Sequence, residues 1–359
     1  MKSTKPAAWG NDAVRPVWTS ARTGEQAASL PPALWPLREA AKRIVANVRA
    51  ACGAFEWLAL GYLAATCVLF RAFASNLSHP YRLMGMQFFA AAGIVWLAHT
   101  HARAAAGDPA GNKFITGWWH YWRHWYPHLF FLFCFEELAH LMTMVTPRWQ
   151  DPHLIAFDHR LTGVDPSVWL EQFATPARNE FMQAVYLSYF TYLLIVGFIF
   201  YIRREWFAYW SVMTYSMAGY MIGYFVAMCF PVESPWFAMA GSWKAPLAGG
   251  AFTAIVNFLE HFGRVRGGAF PSEHVAGAVA ALWGAWRFRR WLFWTMVPIF
   301  VCMCVSTIWG RYHYIADVFA GMITGTLGYL IGSCIMTRRD ALPPQRETPT
   351  IASTIPAAR

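Results

Sequence analysis

The sequence predicts an all-α fold: a polytopic membrane helix bundle with about eight transmembrane helices. Three observations carry this prediction. Of 359 residues, 57% are hydrophobic and only 13% charged, roughly half the ~25% charge of an ordinary soluble domain. Mean hydropathy is +0.30. The apolar residues also gather into runs approaching the ~20 residues that cross a hydrocarbon core. Disorder is excluded over most of the length by the apolar surface that needs burying, and the composition argues against a soluble globular enzyme.

Residues 1–54 read as a basic cytoplasmic tail. Positions 1–35 are rich in Pro, Ala and Ser/Thr, and 36–51 (PLREAAKRIVANVRAA) have the pattern of a basic amphipathic helix lying on the inner leaflet. No cleavable signal peptide is expected, because no apolar run precedes this region. The expected membrane-embedded catalytic domain, 55–340, holds runs at 55–74, 83–102, 126–145, 181–202, 206–229, 274–288, 291–309 and 315–336. The run at 274–288 is short, and crosses only if its flanks extend it or the bundle surrounds it. Residues 341–359 read as a second flexible tail.

With the N-terminus inside, every inner segment is basic: the tail itself, then Arg103, Lys113 and Arg123, then Arg203 and Arg204, then Arg287, Arg289 and Arg290, and finally Arg338, Arg339, Arg346 and Arg359. Both termini are therefore expected in the cytoplasm of a cell whose inner membrane holds the bundle. The net charge of +10 reads as this topology signal, with no nucleic-acid partner expected. None of the seven cysteines forms a CxxC pair, so neither a zinc site nor a disulfide framework is indicated. The two longest outer loops, 146–180 and 230–273, exceed simple turns and are where function is expected.

Two segments at the outer ends of spans carry chemistry. In GGAFPSEHV (267–275), Pro271 and Ser272 set and cap a helix start, placing Ser272 and His274 at its positive end, where an anion such as phosphate is favoured. The same residues also suit an ordinary capped helix with an interfacial His. In STIWGRYHYIADVFAG (306–321), His313 and Asp317 are four apart and share a helix face. The carboxylate can then fix the imidazole tautomer, leaving the other ring nitrogen as nucleophile or base. Arg311 adds a fork suited to phosphate oxygens. Charged residues beside apolar helices are costly, which favours function over a mere interfacial ion pair.

Together, PSxH followed by S-x6-H-Y-x2-D resembles the type 2 phosphatidic acid phosphatase superfamily of lipid phosphate phosphatases. The likeness spans roughly 180–336 and is strongest to the branch containing inositol phosphorylceramide synthase. The resemblance implies a six-helix core with extra N-terminal helices, no metal and no cofactor, and a lipid phosphate or phospholipid substrate. It implies His313 as the nucleophile, Asp317 as the residue orienting it, His274 as the acid protonating the leaving alkoxide, and Ser272 as a phosphate-binding donor. Two features depart from the family pattern. Thr307 stands where an Arg usually follows the motif serine, with Arg311 as its substitute. The K-x6-R-P motif is absent, the one Arg-Pro being Arg15-Pro16. Its work is expected from outer-loop cations, Arg266 and Arg160 ahead of Arg148, Arg178, Lys244 and Arg264.

Other patterns stay open. His120, His124 and His128 at four-residue spacing suit either a haem or metal face or an aromatic interface, with Pro127 expected to interrupt the helix. Glu136, Glu137 and His140 suit a polar cavity or bundle packing. A transporter or channel is the rival reading; it requires these three to line a continuous path, whereas an enzyme requires His274 and His313 to converge. Gly219-x3-Gly223 and Gly321-x3-Gly325 read as helix-packing faces. Oligomeric state is not encoded in any of these patterns.

Overall fold

The computed structural model of the chain describes residues 51–106, 113–263 and 266–340, with Lys42, Val45, Ala46, Val48 and Arg49. The chain divides into two compact units, Met1–Ala46 and Asn47–Arg359. The tails 1–35 and 341–359, and most of the amphipathic stretch 36–51, lie outside the described residues.

Among the described residues every regular element is helical. In order these are α1 (Ala54–Ala72), α2 (Pro80–Ala106), α3 (Lys113–Leu141), α4 (Asp151–Thr162), α5 (Pro166–Leu170), α6 (Pro176–Leu187), α7 (Tyr189–Ile202), α8 (Trp206–Cys229), α9 (Pro235–Ala238), α10 (Ala251–Gly263), α11 (Glu273–Phe288), α12 (Arg290–Trp309) and α13 (Ile315–Asp340). Five of them, α1, α2, α8, α12 and α13, are long and apolar enough to cross a membrane, and α6 with α7, bent by 41°, makes a sixth if the pair is one span. The chain is an integral membrane protein. Helices occupy all eight expected segments, but α3 and α11 do not qualify on length and composition alone. α11 has only 16 residues, and α3 is interrupted by Arg123, Glu136 and Glu137.

Two sequence expectations need correction. The third run begins at Lys113 rather than 126, and Pro127 lies inside α3 instead of interrupting it. A proline removes one N–H from the helix ladder, a loss that surrounding helices tolerate in an apolar setting. Arg123, expected as an inner-loop charge, is thereby carried into the bundle and buried. It pairs with Glu56 of α1 at 2.5 Å and lies 4.2 Å from the Trp210 ring centre. Glu56 also accepts from the Tyr126 hydroxyl at 2.6 Å and the Gly53 amide at 2.6 Å. A buried charge persists only with such partners, so this cluster ties α1, α3 and α8 together.

Successive long helices reverse direction. Ala54 and Met336 consequently share a small apolar cluster with Tyr215 at one end of the bundle, while the loops after α3, α8, α10 and α12 gather at the other. The centre is α8, apolar on nearly all sides and packed against α11 and α13. Small residues let these three backbones touch. A Cβ on Gly325 would lie 2.5 Å from the Ala276 carbonyl oxygen, and one on Gly328 2.5 Å from the Tyr215 carbonyl. The GxxxG pairs are packing faces.

Candidate active site

At the loop end, the start of α11 meets the turn between α12 and α13. Ser272 caps α11 by accepting from the Val275 amide at 3.5 Å, and its own amide donates to the Asp317 carbonyl at 3.0 Å. These bonds fix the two motifs against each other. His274 Nδ1 and His313 Nε2 stand 3.0 Å apart.

His313 is held from behind. Its Nδ1 lies 2.9 Å from the Ala269 carbonyl oxygen and 3.2 Å from Asp317 Oδ2. A carbonyl oxygen only accepts, so Nδ1 carries the hydrogen, and in the neutral ring Nε2 presents a lone pair. The hydrogen between the two rings therefore belongs to His274 Nδ1. Asp317, fully buried, also accepts from the Tyr314 amide at 2.8 Å. The other face of His274 meets Tyr186, whose hydroxyl is 3.3 Å from Nε2, and the ring of Tyr189, 4.2 Å away edge-on.

The turn carrying His313 is built with care. The His313 and Tyr312 amides donate to the Thr307 carbonyl at 3.2 and 3.0 Å. Thr307 is completely buried, so the place where the related pattern has an arginine is occupied here by a residue that closes the turn. Arg311 adopts a left-handed backbone, φ 68°, a conformation that costs a non-glycine residue energy and is common at functional turns. Beside His313 is a cavity of about 10 Å³, bounded by Asp158, Asp165, Ser167, Ile308 and Tyr314, about the size of one water.

Two of the expected phosphate-binding cations have carbonyl or carboxylate partners of their own. Arg311 is buried and donates to the Ala245 carbonyl at 2.9 Å, with Glu171 at 3.6 Å and the Trp243 ring 4.5 Å away. Arg266 pairs with Glu233 at 2.5 Å. Arg160 is exposed on α4 and Arg178 on the first turn of α6, and Arg148 and Lys244 are exposed in the loops. Arg264 and the Arg15-Pro16 pair lie outside the described residues.

The carboxylates of this end matter more than sequence reasoning allowed. Asp158 receives the Ile315 and Ala316 amides at 2.7 and 3.1 Å, capping α13 from 157 positions away. Asp151 receives the Glu233 amide at 2.9 Å and the Tyr314 hydroxyl at 2.9 Å. Glu171 receives the Lys244 and Ala245 amides at 3.1 and 2.5 Å. Burial pushes the Glu171 carboxyl up, but those amides and then Arg311 pull harder, leaving it below its usual range. Asp158 is raised, burial outweighing its amide donors.

A family model described as the PAP2 superfamily matches residues 152–331, half of the chain. The chain belongs to the PAP2 superfamily. Comparison with curated proteins and with solved structures gave no match. Membership marks a phosphatase-type enzyme acting on a phosphorylated substrate, and the long apolar helices embed it in a membrane. The matched region begins at α4, so this PAP2 protein carries α1–α3 in addition.

The remaining open patterns also find their places. Glu137 is buried and accepts from Gln87 at 2.6 Å, whereas Glu136 and His140 on the same helix are exposed. The three do not share a path. His120 and His124 pack into an aromatic cluster with His101, Tyr201 and Trp206, and His128 stacks on Trp125. Among the described residues no group of three His, Cys, Asp or Glu is placed to hold a metal ion.

Proposed function

We propose that this PAP2 protein transfers a phosphoryl group from a phosphorylated lipid through a phosphohistidine on His313. The observation that carries the reading is the 3.0 Å approach of His274 Nδ1 to His313 Nε2, with Asp317 behind. His313 offers its Nε2 lone pair to phosphorus, Asp317 supports the cationic phosphohistidine ring, and His274 gives its Nδ1 proton to the leaving oxygen. In the second half-reaction an acceptor hydroxyl attacks phosphorus and returns a proton to His274. The positive end of α11 and the Ser272 hydroxyl, whose hydrogen remains to donate, face the phosphate oxygens. Arg311, Arg266 and Arg160 are the cations proposed to complete that pocket as substrate binds.

The second motif is similar to that of inositol phosphorylceramide synthase, so we favour a lipid hydroxyl over water as acceptor: a head-group transferase rather than a phosphatase. All eight long helical passes are proposed to cross the membrane, with α3 and α11 sheltered by their neighbours. Both termini are then cytoplasmic and the site lies at the outer face of the inner membrane.

The test compares purified wild type with His313→Ala in detergent, on lipid phosphates and phospholipids, with EDTA. The expected result is turnover by the wild type and its loss in the variant. Free phosphate as product identifies a phosphatase, and a new phospholipid identifies a transferase. Turnover by His313→Ala at the wild-type rate removes the mechanism.

A further inference from the structure

His313 has a carboxylate directly behind it; His274 has a phenol. The chain of contacts continues further. The Tyr186 hydroxyl lies 3.3 Å from His274 Nε2 and 3.3 Å from Glu260 Oε1 on α10. Tyr186 is buried and its ring stacks on Tyr312 at 4.3 Å and 25°, so the hydroxyl cannot swing away without breaking that stack. A hydroxyl holds one hydrogen. Donated to the Glu260 carboxylate, it leaves the oxygen lone pairs to accept from His274 Nε2–H.

We infer that Tyr186 and Glu260 are positioning residues for the acid–base histidine: they fix a hydrogen on His274 Nε2 and so favour, relative to a site without them, the imidazolium whose other hydrogen is on Nδ1 toward the reaction. The two histidines are then matched, each backed by a carboxylate, Asp317 directly and Glu260 through a phenol. This deepens, and rests on, the phosphohistidine reading.

The protons and bonds balance over a cycle. First the phosphorus–oxygen bond to the leaving group breaks as the phosphorus–Nε2 bond of His313 forms, and the His274 Nδ1 proton goes to the leaving oxygen. His274 is left neutral with its remaining hydrogen on Nε2, still donated to Tyr186. The acceptor oxygen then bonds to phosphorus, the bond to Nε2 of His313 breaks, and the acceptor's proton returns to Nδ1. Glu260 gains no proton at any step.

The titratable groups facing His274 are His313 of the α12–α13 turn with Asp317 behind it, Tyr186 and Tyr189 from α6 and α7, Tyr312 stacked on Tyr186, Tyr220 of α8 against the next turn of α11, and Glu273 on its own helix. Of these and the more distant Glu260, the carboxylate joined to Nε2 by hydrogen bonds is Glu260, so its removal is expected to disfavour the imidazolium.

The experiment uses the full-length protein in detergent: wild type, Tyr186→Phe, Glu260→Gln and His313→Ala. Substrates are phosphatidate, or the lipid phosphate that the wild type turns over, and 4-nitrophenyl phosphate, whose leaving group needs no proton. On the lipid, Tyr186→Phe and Glu260→Gln are expected to lower kcat about 10–100-fold, within the range of general-acid effects, with KM changed less than about twofold. The alkaline limb of the kcat profile should move to lower pH, and the loss on 4-nitrophenyl phosphate should be about tenfold smaller. Independently of turnover, the His274 imidazole followed by NMR should lose its proton at lower pH in Tyr186→Phe, a variant that keeps the ring stack. An unmoved His274 titration, or equal losses on both substrates, overturns the inference. If His313→Ala is inactive while Tyr186→Phe matches wild type throughout, the phosphohistidine reading stands and the positioning role falls. Full activity in His313→Ala sinks the reading beneath it.

Discussion

Asp158 caps α13 from a distant part of the chain. It takes the Ile315 and Ala316 amides, while Asp317 serves the Tyr314 amide and His313. Asp158→Ala is expected to cost about 0.5–2 kcal/mol of stability, as for other lost caps, and to lower turnover because the His313 turn is released; thermal unfolding and kcat check the two parts. Glu171 allows a pH prediction. Its folded pKa lies below the ordinary 4.5, so the unfolded chain binds the proton more readily and the stabilisation is complete above that value. It is lost as pH falls through the folded pKa. The unfolding temperature in detergent should therefore drop on acidification below pH 4.5, and Glu171→Gln should be less stable at neutral pH with a flatter acid limb. His274, His313, Asp317 and Ser272 were legible in the sequence because a helix start and a four-residue spacing are local facts. The Ala269 carbonyl, Tyr186 and Glu260 were not, since their roles come from contacts 44, 88 and 74 positions apart.

At the scale of elements, the packing faces of α8 and α13 were readable from glycine spacing, while the helix limits of α3 were not. Run-based reading stops at a charge, and Arg123 is a charge that the bundle neutralises internally. Arg123→Met should destabilise by about 3–5 kcal/mol by leaving Glu56 buried and unpaired, and adding Glu56→Gln should recover part of that loss, measured as unfolding in detergent. Gly325→Leu should be worse tolerated than the same change at Gly61, which has no atom within 4 Å of its Cβ position. Retained fold and activity in Gly325→Leu would count against the close approach to Ala276. The bend between α6 and α7, at Ser188, escaped the sequence because the run 181–202 reads as one apolar segment on average, and hydropathy carries no information about direction.

For the whole molecule, the membrane character was set by composition, since apolar runs of that length have few other places to go; among the described residues five helices, or six with the bent pair, are long and apolar enough to cross. Sidedness is the part that the charges imply and that labelling checks. In a cysteine-free background, Arg160→Cys should react with a membrane-impermeant maleimide from outside intact cells, and Arg346→Cys only after lysis; the reverse pattern would turn the topology over. The ties around the site also fix when it comes into being. Asp151 and Asp158 are made early in the chain, yet their partners Tyr314, Ile315 and Ala316 lie at the start of the last helix. During synthesis the loops must wait for α13 to leave the ribosome before His313 has a seat, so a nascent chain that still lacks α13 is already membrane-bound but chemically idle.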